Sequence, residues 1–203
     1  MTTTKDPGSG LDPYHHDHSG VEEIPWSRLG GMMTDLVDQI RKRFRPELVV
    51  GIAKGGVIPA VYASSAFSVD FLPIKLSSRH NEQVVSQIPI WHVHPTDRVR
   101  DHRVLLVDDI CVAGRTLGLA SDALRERGVA DLMTATLTVH PGGHRPDFFA
   151  LETDKLVVWP WDRDQIQADG TWIINPEYLE EMLTIEDYSP PPAPAREKPG
   201  QWR

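Results

Sequence analysis

Two adjacent carboxylates, Asp108 and Asp109, follow four apolar residues, Val104-Leu105-Leu106-Val107. The segment Ile110 to Ala113 then leads to Gly114, Arg115 and Thr116, where a helical pattern begins. The apolar run reads as a buried strand, and open α/β sheets bind ligands at the carboxyl ends of their strands. A carboxylate pair in that place accepts hydrogen bonds from hydroxyls or serves a hard cation. The helix start beyond it presents N–H groups and a positive dipole end to an anion. Lys54-Gly55-Gly56 is a second anion candidate, set between an apolar run, Leu48 to Ala53, and a small-residue helical pattern, Val57 to Phe67. A Gly-Gly pair alone also suits an ordinary turn, but Lys54 adds charge where an anion would sit.

These residues need a scaffold, and the periodicity supplies one. Leu29, Met32, Met33, Leu36, Val37, Ile40 and Phe44 recur at helical spacing and predict a helix over 25–44, ended by Pro46. Strands are predicted at Leu48–Ala53, Asp70–Leu76, Val104–Val107, Asp131–Val139 and Lys155–Trp159, with Ile88–Val93 as a further candidate. Thr116–Arg127 predicts a helix with Gly128 beyond its end. Asn175-Pro176 opens a last helix, Glu177–Leu183, with Asn as cap and Pro in the first turn. Strands alternating with helices predict an α/β domain built on a parallel sheet.

The remaining stretches are polar. Residues 1–24 and the Pro-rich residues 189–203 are expected to be disordered tails around a domain at 25–188. His15-His16-Asp17-His18 reads as part of a solvated tail rather than a metal site, because no partner ligands lie nearby. Residues 77–98 form a long polar connection, of the kind that is either disordered or a functional lid. His92 and His94, within it, read as solvated imidazoles.

Composition narrows the function classes. The chain has 203 residues, 40% of them hydrophobic, which is enough for a real core. Its 21 Lys and Arg against 29 Asp and Glu leave a net charge of −8, which excludes general nucleic-acid electrostatics. The single Cys111 excludes an intrachain disulfide and a cysteine metal cluster, and suits a reducing cytoplasm. Neither a signal peptide nor a bilayer-spanning apolar run is expected.

The strand, the Asp-Asp pair and the small-Gly-x-Thr ending together resemble the donor-binding motif of type I phosphoribosyltransferases. Gly51 to Gly56 resembles that family's pyrophosphate loop. Arg145-Pro146-Asp147-Phe148-Phe149 and Glu152 to Asp162, with its Trp159-Pro160-Trp161-Asp162 ending, resemble segments of the purine-using branch. The resemblance implies a parallel sheet flanked by helices, a small hood and a flexible lid loop. It implies transfer of 5-phosphoribosyl from 5-phosphoribosyl-1-pyrophosphate (PRPP) to a purine or purine-like base, with Mg²⁺ and release of pyrophosphate, in a chain that commonly pairs as a homodimer. Asp108 and Asp109 would hold the ribose hydroxyls and the metal, with Asp162 near a second metal. Val112, Ala113, Gly114, Arg115 and Thr116 would seat the 5′-phosphate. Lys54, Gly55 and Gly56 would take pyrophosphate, at a place where the family often has a cis peptide. His140, Leu156 and Val157 would meet the base.

Four positions depart from the purine-branch pattern. Ala113 lacks the hydroxyl expected at the 5′-phosphate, a hydrogen bond worth about 1.5–3 kcal/mol, or one to two orders of magnitude in affinity. Val112 stands where an acid often serves as general base, a contribution of roughly 10²–10⁴-fold. His140 replaces a base-reading lysine and Leu156 an aromatic stacker. An enzyme is thus expected first, and a PRPP- or nucleotide-binding regulator with weakened turnover second; a metal-dependent hydrolase is a distant third. The acceptor base is left open.

Overall fold

The computed structural model describes residues 18–77, 79–80, 83–84, 89–185 and 188–189. In chain order the elements are β1 (Val21–Glu23), α1 (Trp26–Ile40), β2 (Leu48–Ile52), α2 (Val57–Phe67), β3 (Asp70–Ser77), β4 (Arg79–His80), β5 (Gln83–Val84), β6 (Ile90–Val93), β7 (Arg103–Cys111), α3 (Arg115–Glu126), β8 (Asp131–Val139), β9 (Phe148–Glu152), β10 (Leu156–Val158), β11 (Asp164–Ile166), β12 (Trp172–Ile174) and α4 (Pro176–Thr184). The described residues from Gly31 to Thr153 form one compact unit; those before Gly31, together with those from Asp154 on, form another.

The first unit holds a six-stranded sheet in the order β6-β3-β2-β7-β8-β9, parallel except for the antiparallel edge pair β3–β6. This is the α/β class expected from the alternating pattern. β2 and the Val104–Val107 part of β7, the two central strands, are continuous apolar runs, as expected of strands that helices cover on both faces. Every residue of β2 is buried, and so are Val104 to Val107 of β7. Leu106, Val50, Ile52, Ile74, Leu117 and Leu124 share one core cluster. α2 matches its predicted span, and Gly128 lies beyond α3 with φ of 78°.

Register sets the site. Gly51 pairs with Val107, so the chain leaving β2 and the acid pair of β7 emerge at the same end of the sheet. Asp108 pairs with Thr136 and Cys111 with Val139, which brings the end of β8 alongside the loop after β7. The chain runs from β2 to β3 on one side and from β7 to β9 on the other. The crevice between β2 and β7 is therefore the topological switch point at which such sheets bind ligands.

Several expectations change. The central strand does not stop before the carboxylates: ladder pairing carries β7 through Cys111, so Asp108 and Asp109 are strand residues with alternating side chains. α1 ends at Ile40 rather than Phe44, although Phe44 remains buried and its N–H still donates to the Ile40 carbonyl. Pro46 disfavours helix at the preceding residue, and the chain opens a turn earlier. Phe148–Glu152 is an edge strand, β9, that the sequence pattern did not mark.

In the second unit, β1 pairs in parallel with β10, Val21 opposite Leu156. Residues 21–23 are thus ordered by strand pairing, against the expected disorder of 1–24; residues 1–17, with His15, His16 and Asp17, lie outside the described residues. β11 and β12 form an antiparallel hairpin. Asn175 caps α4 by accepting from the Glu177 N–H at 3.1 Å, with Pro176 opening the helix, as the Asn-Pro pair predicts. Leu156, Val158 and Met182 form this unit's core. Of the expected lid at 77–98, residues 78, 81–82 and 85–88 lie outside the described residues, as do 190–203 of the expected tail. No helix among the described residues is long and apolar enough to cross a membrane.

Candidate functional site

The acid pair and the Lys54-Gly55-Gly56 loop meet. A Cβ placed on Gly55 would fall 2.0 Å from Asp109 Oδ2, and one on Gly56 would fall 2.7 Å from the Asp108 Cα and 2.7 Å from the Val107 carbonyl oxygen. Only residues without side chains let the loop lie this close. The Gly-Gly pair is therefore a close-packing device as well as a turn. The Ala53–Lys54 peptide is cis, at the position where the resemblance expects one. Lys54 is exposed.

The two carboxylates have different surroundings. Asp108 is buried, 9% exposed, and its Oδ1 accepts from the Asp109 N–H at 3.0 Å. Burial, with the neighbouring Asp109 charge, pushes its carboxyl well above the usual carboxylate range. Asp109 is half-buried and its Oδ1 accepts from the Ile110 N–H at 2.9 Å. Among the described residues no group of three or more His, Cys, Asp or Glu side chains gathers as a metal cage. Mg²⁺ does not need one, since it is commonly held by one or two carboxylates, substrate oxygens and waters. Asp108 and Asp109 offer that hard oxygen pair.

Beyond β7 the chain turns at Gly114, whose φ of 75° lies in the left-handed region, and α3 starts at Arg115. No side chain caps this helix start, and the first turn of any helix has N–H groups without intrahelical acceptors. Thr116 is half-buried in that turn; Ala113 and Arg115 are exposed. Val112, Ala113, Gly114, Arg115 and Thr116 thus form one continuous turn into α3, the candidate cradle for an anion.

This turn has a partner segment, of which the sequence reading singled out only His140, as a base contact, and not His144. After β8 the chain turns through Pro141-Gly142-Gly143 and lies against the loop after β7. The His140 N–H donates to the Cys111 carbonyl at 2.9 Å, and the His144 N–H to the Val112 carbonyl at 3.1 Å. The buried Cys111 thiol donates to the His144 carbonyl at 3.2 Å, and burial pushes its pKa up to about 11. Between Val112 and Ala113 on one side and the His140–His144 turn on the other lies a cleft of about 430 Å³. The Gly-Gly-His triplet after a strand was the available signal.

The other expected residues sort by unit. Asp147 closes a turn: its Oδ2 accepts from the Thr134 N–H at 2.7 Å and from the Thr134 hydroxyl at 2.8 Å, giving the Arg-Pro-Asp segment a structural role. Leu156, Val157 and Asp162 belong to the second unit. Leu156 and Val157 are buried, and the Leu156 side chain packs in that unit's core. The Asp162 carboxylate accepts from the Tyr178 hydroxyl at 3.4 Å, while its backbone carbonyl accepts from the Asn175 amide at 3.0 Å.

Residues 27–167 match the model of the phosphoribosyl transferase domain family. The chain is 41% identical over 109 residues to the bifunctional protein PyrR of Corynebacterium diphtheriae, spanning 50% of this chain and 57% of that protein. It is 26% identical over 106 residues to adenine phosphoribosyltransferase of Campylobacter fetus, spanning 46% of this chain and 58% of that enzyme. The matches thus span less than two thirds of these relatives' length. A purine phosphoribosyltransferase structure from Pyrococcus horikoshii superposes with a TM-score of 0.63 at 24% identity, covering 72% of this chain and 97% of the other. That likeness concerns the fold.

Proposed function

This chain belongs to the phosphoribosyl transferase domain family, and we propose that it transfers 5-phosphoribosyl from PRPP to a purine or purine-like base with release of pyrophosphate. The observation that carries the proposal is the close approach of Gly55 to the Asp109 carboxylate. It joins a pyrophosphate-type loop to a ribose-type acid pair, with an anion cradle on the same strand's exit. A ring nitrogen of the base attacks the anomeric carbon, the bond to pyrophosphate breaks with its electron pair, and the proton of the attacking nitrogen passes to water or to the departing pyrophosphate. Mg²⁺, when bound, supplies charge neutralisation on the departing pyrophosphate. Asp108 and Asp109 accept from the ribose hydroxyls and orient the sugar, Lys54 and the Gly55-Gly56 backbone receive pyrophosphate, and residues 112–116 anchor the 5′-phosphate. The base-reading roles of His140, Leu156 and Val157, and the metal role of Asp162, belong to the same proposal, as do a cytoplasmic setting and a homodimeric working form.

Val112 and Ala113 favour a second reading: a PRPP- or nucleotide-binding regulator with weak turnover. The test incubates the protein with PRPP, Mg²⁺ and a panel of adenine, hypoxanthine, guanine, xanthine and uracil, following pyrophosphate release, with PRPP affinity measured by calorimetry. Release with one base supports the enzyme; binding without release on any base favours the regulator. Asp108→Asn with Asp109→Asn is expected to abolish Mg²⁺-dependent PRPP binding. Unchanged affinity in that double variant counts against both readings.

A further inference from the structure

We propose that His144 is a phosphate-contacting residue that takes the place of the hydroxyl missing at Ala113. This rests on the reading of residues 112–116 as the seat of a sugar 5′-phosphate. Three observations lead to it. A Cβ placed on Gly114 would fall 2.3 Å from His144 Cβ, 2.5 Å from its Cγ and 2.8 Å from its Cδ2, so the imidazole lies over the turn that starts α3. Each ring nitrogen is one covalent bond from an atom in that contact. The His144 side chain is exposed and lines the cleft that Val112 and Ala113 share. Among the described residues, no hydrogen bond engages either of its ring nitrogens.

The backbone of this turn is fixed, which is what makes the ring a usable contact. The His144 N–H is held by the Val112 carbonyl at 3.1 Å and its carbonyl by the Cys111 thiol at 3.2 Å. Gly143 allows this approach, because a Cβ there would fall 2.1 Å from the Val112 carbonyl oxygen. The imidazole is therefore anchored on both sides of its own Cα to the strand and loop that form the cradle. Whichever tautomer is present, one ring nitrogen carries a proton to donate. A donor over the cradle compensates an alanine within it, without any change in the α3 backbone. Gly114 has to stay a glycine for the ring to lie there.

The experiment compares wild type, His144→Ala, His144→Leu, His144→Gln and His144→Ala with Ala113→Thr. Calorimetry measures affinity for ribose 5-phosphate, for PRPP with Mg²⁺ and for inorganic pyrophosphate with Mg²⁺, and thermal unfolding reports the fold. His144→Ala and His144→Leu are expected to lose roughly ten- to hundredfold for ribose 5-phosphate and PRPP, the cost of one hydrogen bond to a charged group. Pyrophosphate affinity is expected to stay unchanged. His144→Gln keeps an N–H donor and is expected to retain most of the affinity; Ala113→Thr is expected to recover part of the loss. Wild-type affinity for ribose 5-phosphate in His144→Leu overturns the inference and leaves the transferase reading standing, as does an equal loss for pyrophosphate. A wild type that binds neither PRPP nor ribose 5-phosphate overturns both.

Discussion

Gly55→Ala puts the proposed site to a quantitative test. The added Cβ would fall 2.0 Å from Asp109 Oδ2, 2.3 Å from its Cγ and 2.9 Å from its Oδ1. Ordinary contact begins at 3.4 Å, so the carboxylate or the loop has to move by about 1.4 Å (3.4 − 2.0). The carboxylate is the end of a short side chain and can rotate away. Rotation sacrifices its hydrogen bond from the Ile110 N–H at 2.9 Å, so the cost to folding is about 0.5–1.5 kcal/mol. Function is more sensitive. A misplacement of about 1 Å in a positioned group costs roughly 10²-fold, equivalent to about 2.7 kcal/mol at 1.36 kcal/mol per decade. The assay is pyrophosphate release from PRPP with the base that the wild type uses, beside calorimetric PRPP affinity and thermal unfolding. The expected result is a drop in kcat/KM near two orders of magnitude with a small fall in Tm. Gly118→Ala is the control: nothing lies within 4 Å of its Cβ position, inside α3, so it should keep activity and gain about 0.5–1 kcal/mol. A Gly55→Ala protein within threefold of wild type would refute the claim that loop and acid pair work as one site.

Other consequences follow from the surroundings of single residues. Asp108 has a raised pKa from burial and the Asp109 charge; the unfolded chain therefore sheds that proton first, and stability of the unliganded protein falls as pH rises from the ordinary carboxylate value through the raised one. Asp108→Asn removes this dependence at about 1.4 kcal/mol per pKa unit, and urea midpoints without Mg²⁺ should be higher than wild type at pH 7; a lower midpoint counts against it. Asn175→Ala loses both the cap on Glu177 and the bond to the Asp162 carbonyl, which should cost about 2 kcal/mol, or roughly 4–8 °C in Tm by calorimetry. The Cys111 thiol, buried with its pKa near 11, should be alkylated by iodoacetamide at pH 8 roughly 10²-fold more slowly in the native protein than in urea, read by mass spectrometry; equal rates would show an open cleft floor.

Much of the sheet was legible because its central strands are buried on both faces. Leu48–Ile52 and Val104–Val107 could be read as continuous apolar runs, and α2 could be read between Gly56 and Ser68. The edges were less legible. β9 buries only Phe148, followed by three half-buried residues and an exposed Glu152, and β1 is a three-residue strand that exists only by pairing with β10. Short strands carry little periodic signal of their own, and their partners are distant in sequence.

The amino-acid sequence by itself determined the chemistry on offer: an acid pair, two candidate anion-binding turns and their order along the chain, together with the altered positions Val112 and Ala113. Local patterns suffice for that, because a strand, a glycine turn and a helix start are each written within about ten residues. Only the tertiary structure decided which of these touch. The pairing of Gly51 with Val107 puts Gly55 under the Asp109 carboxylate, and the pairing of Cys111 with Val139 brings His144 over Gly114. Ladder pairing also extended β7 through Asp108 and Asp109, giving one a buried setting and the other a half-buried one. Register is set by the packing of whole strands on a shared core, and no single segment contains that information.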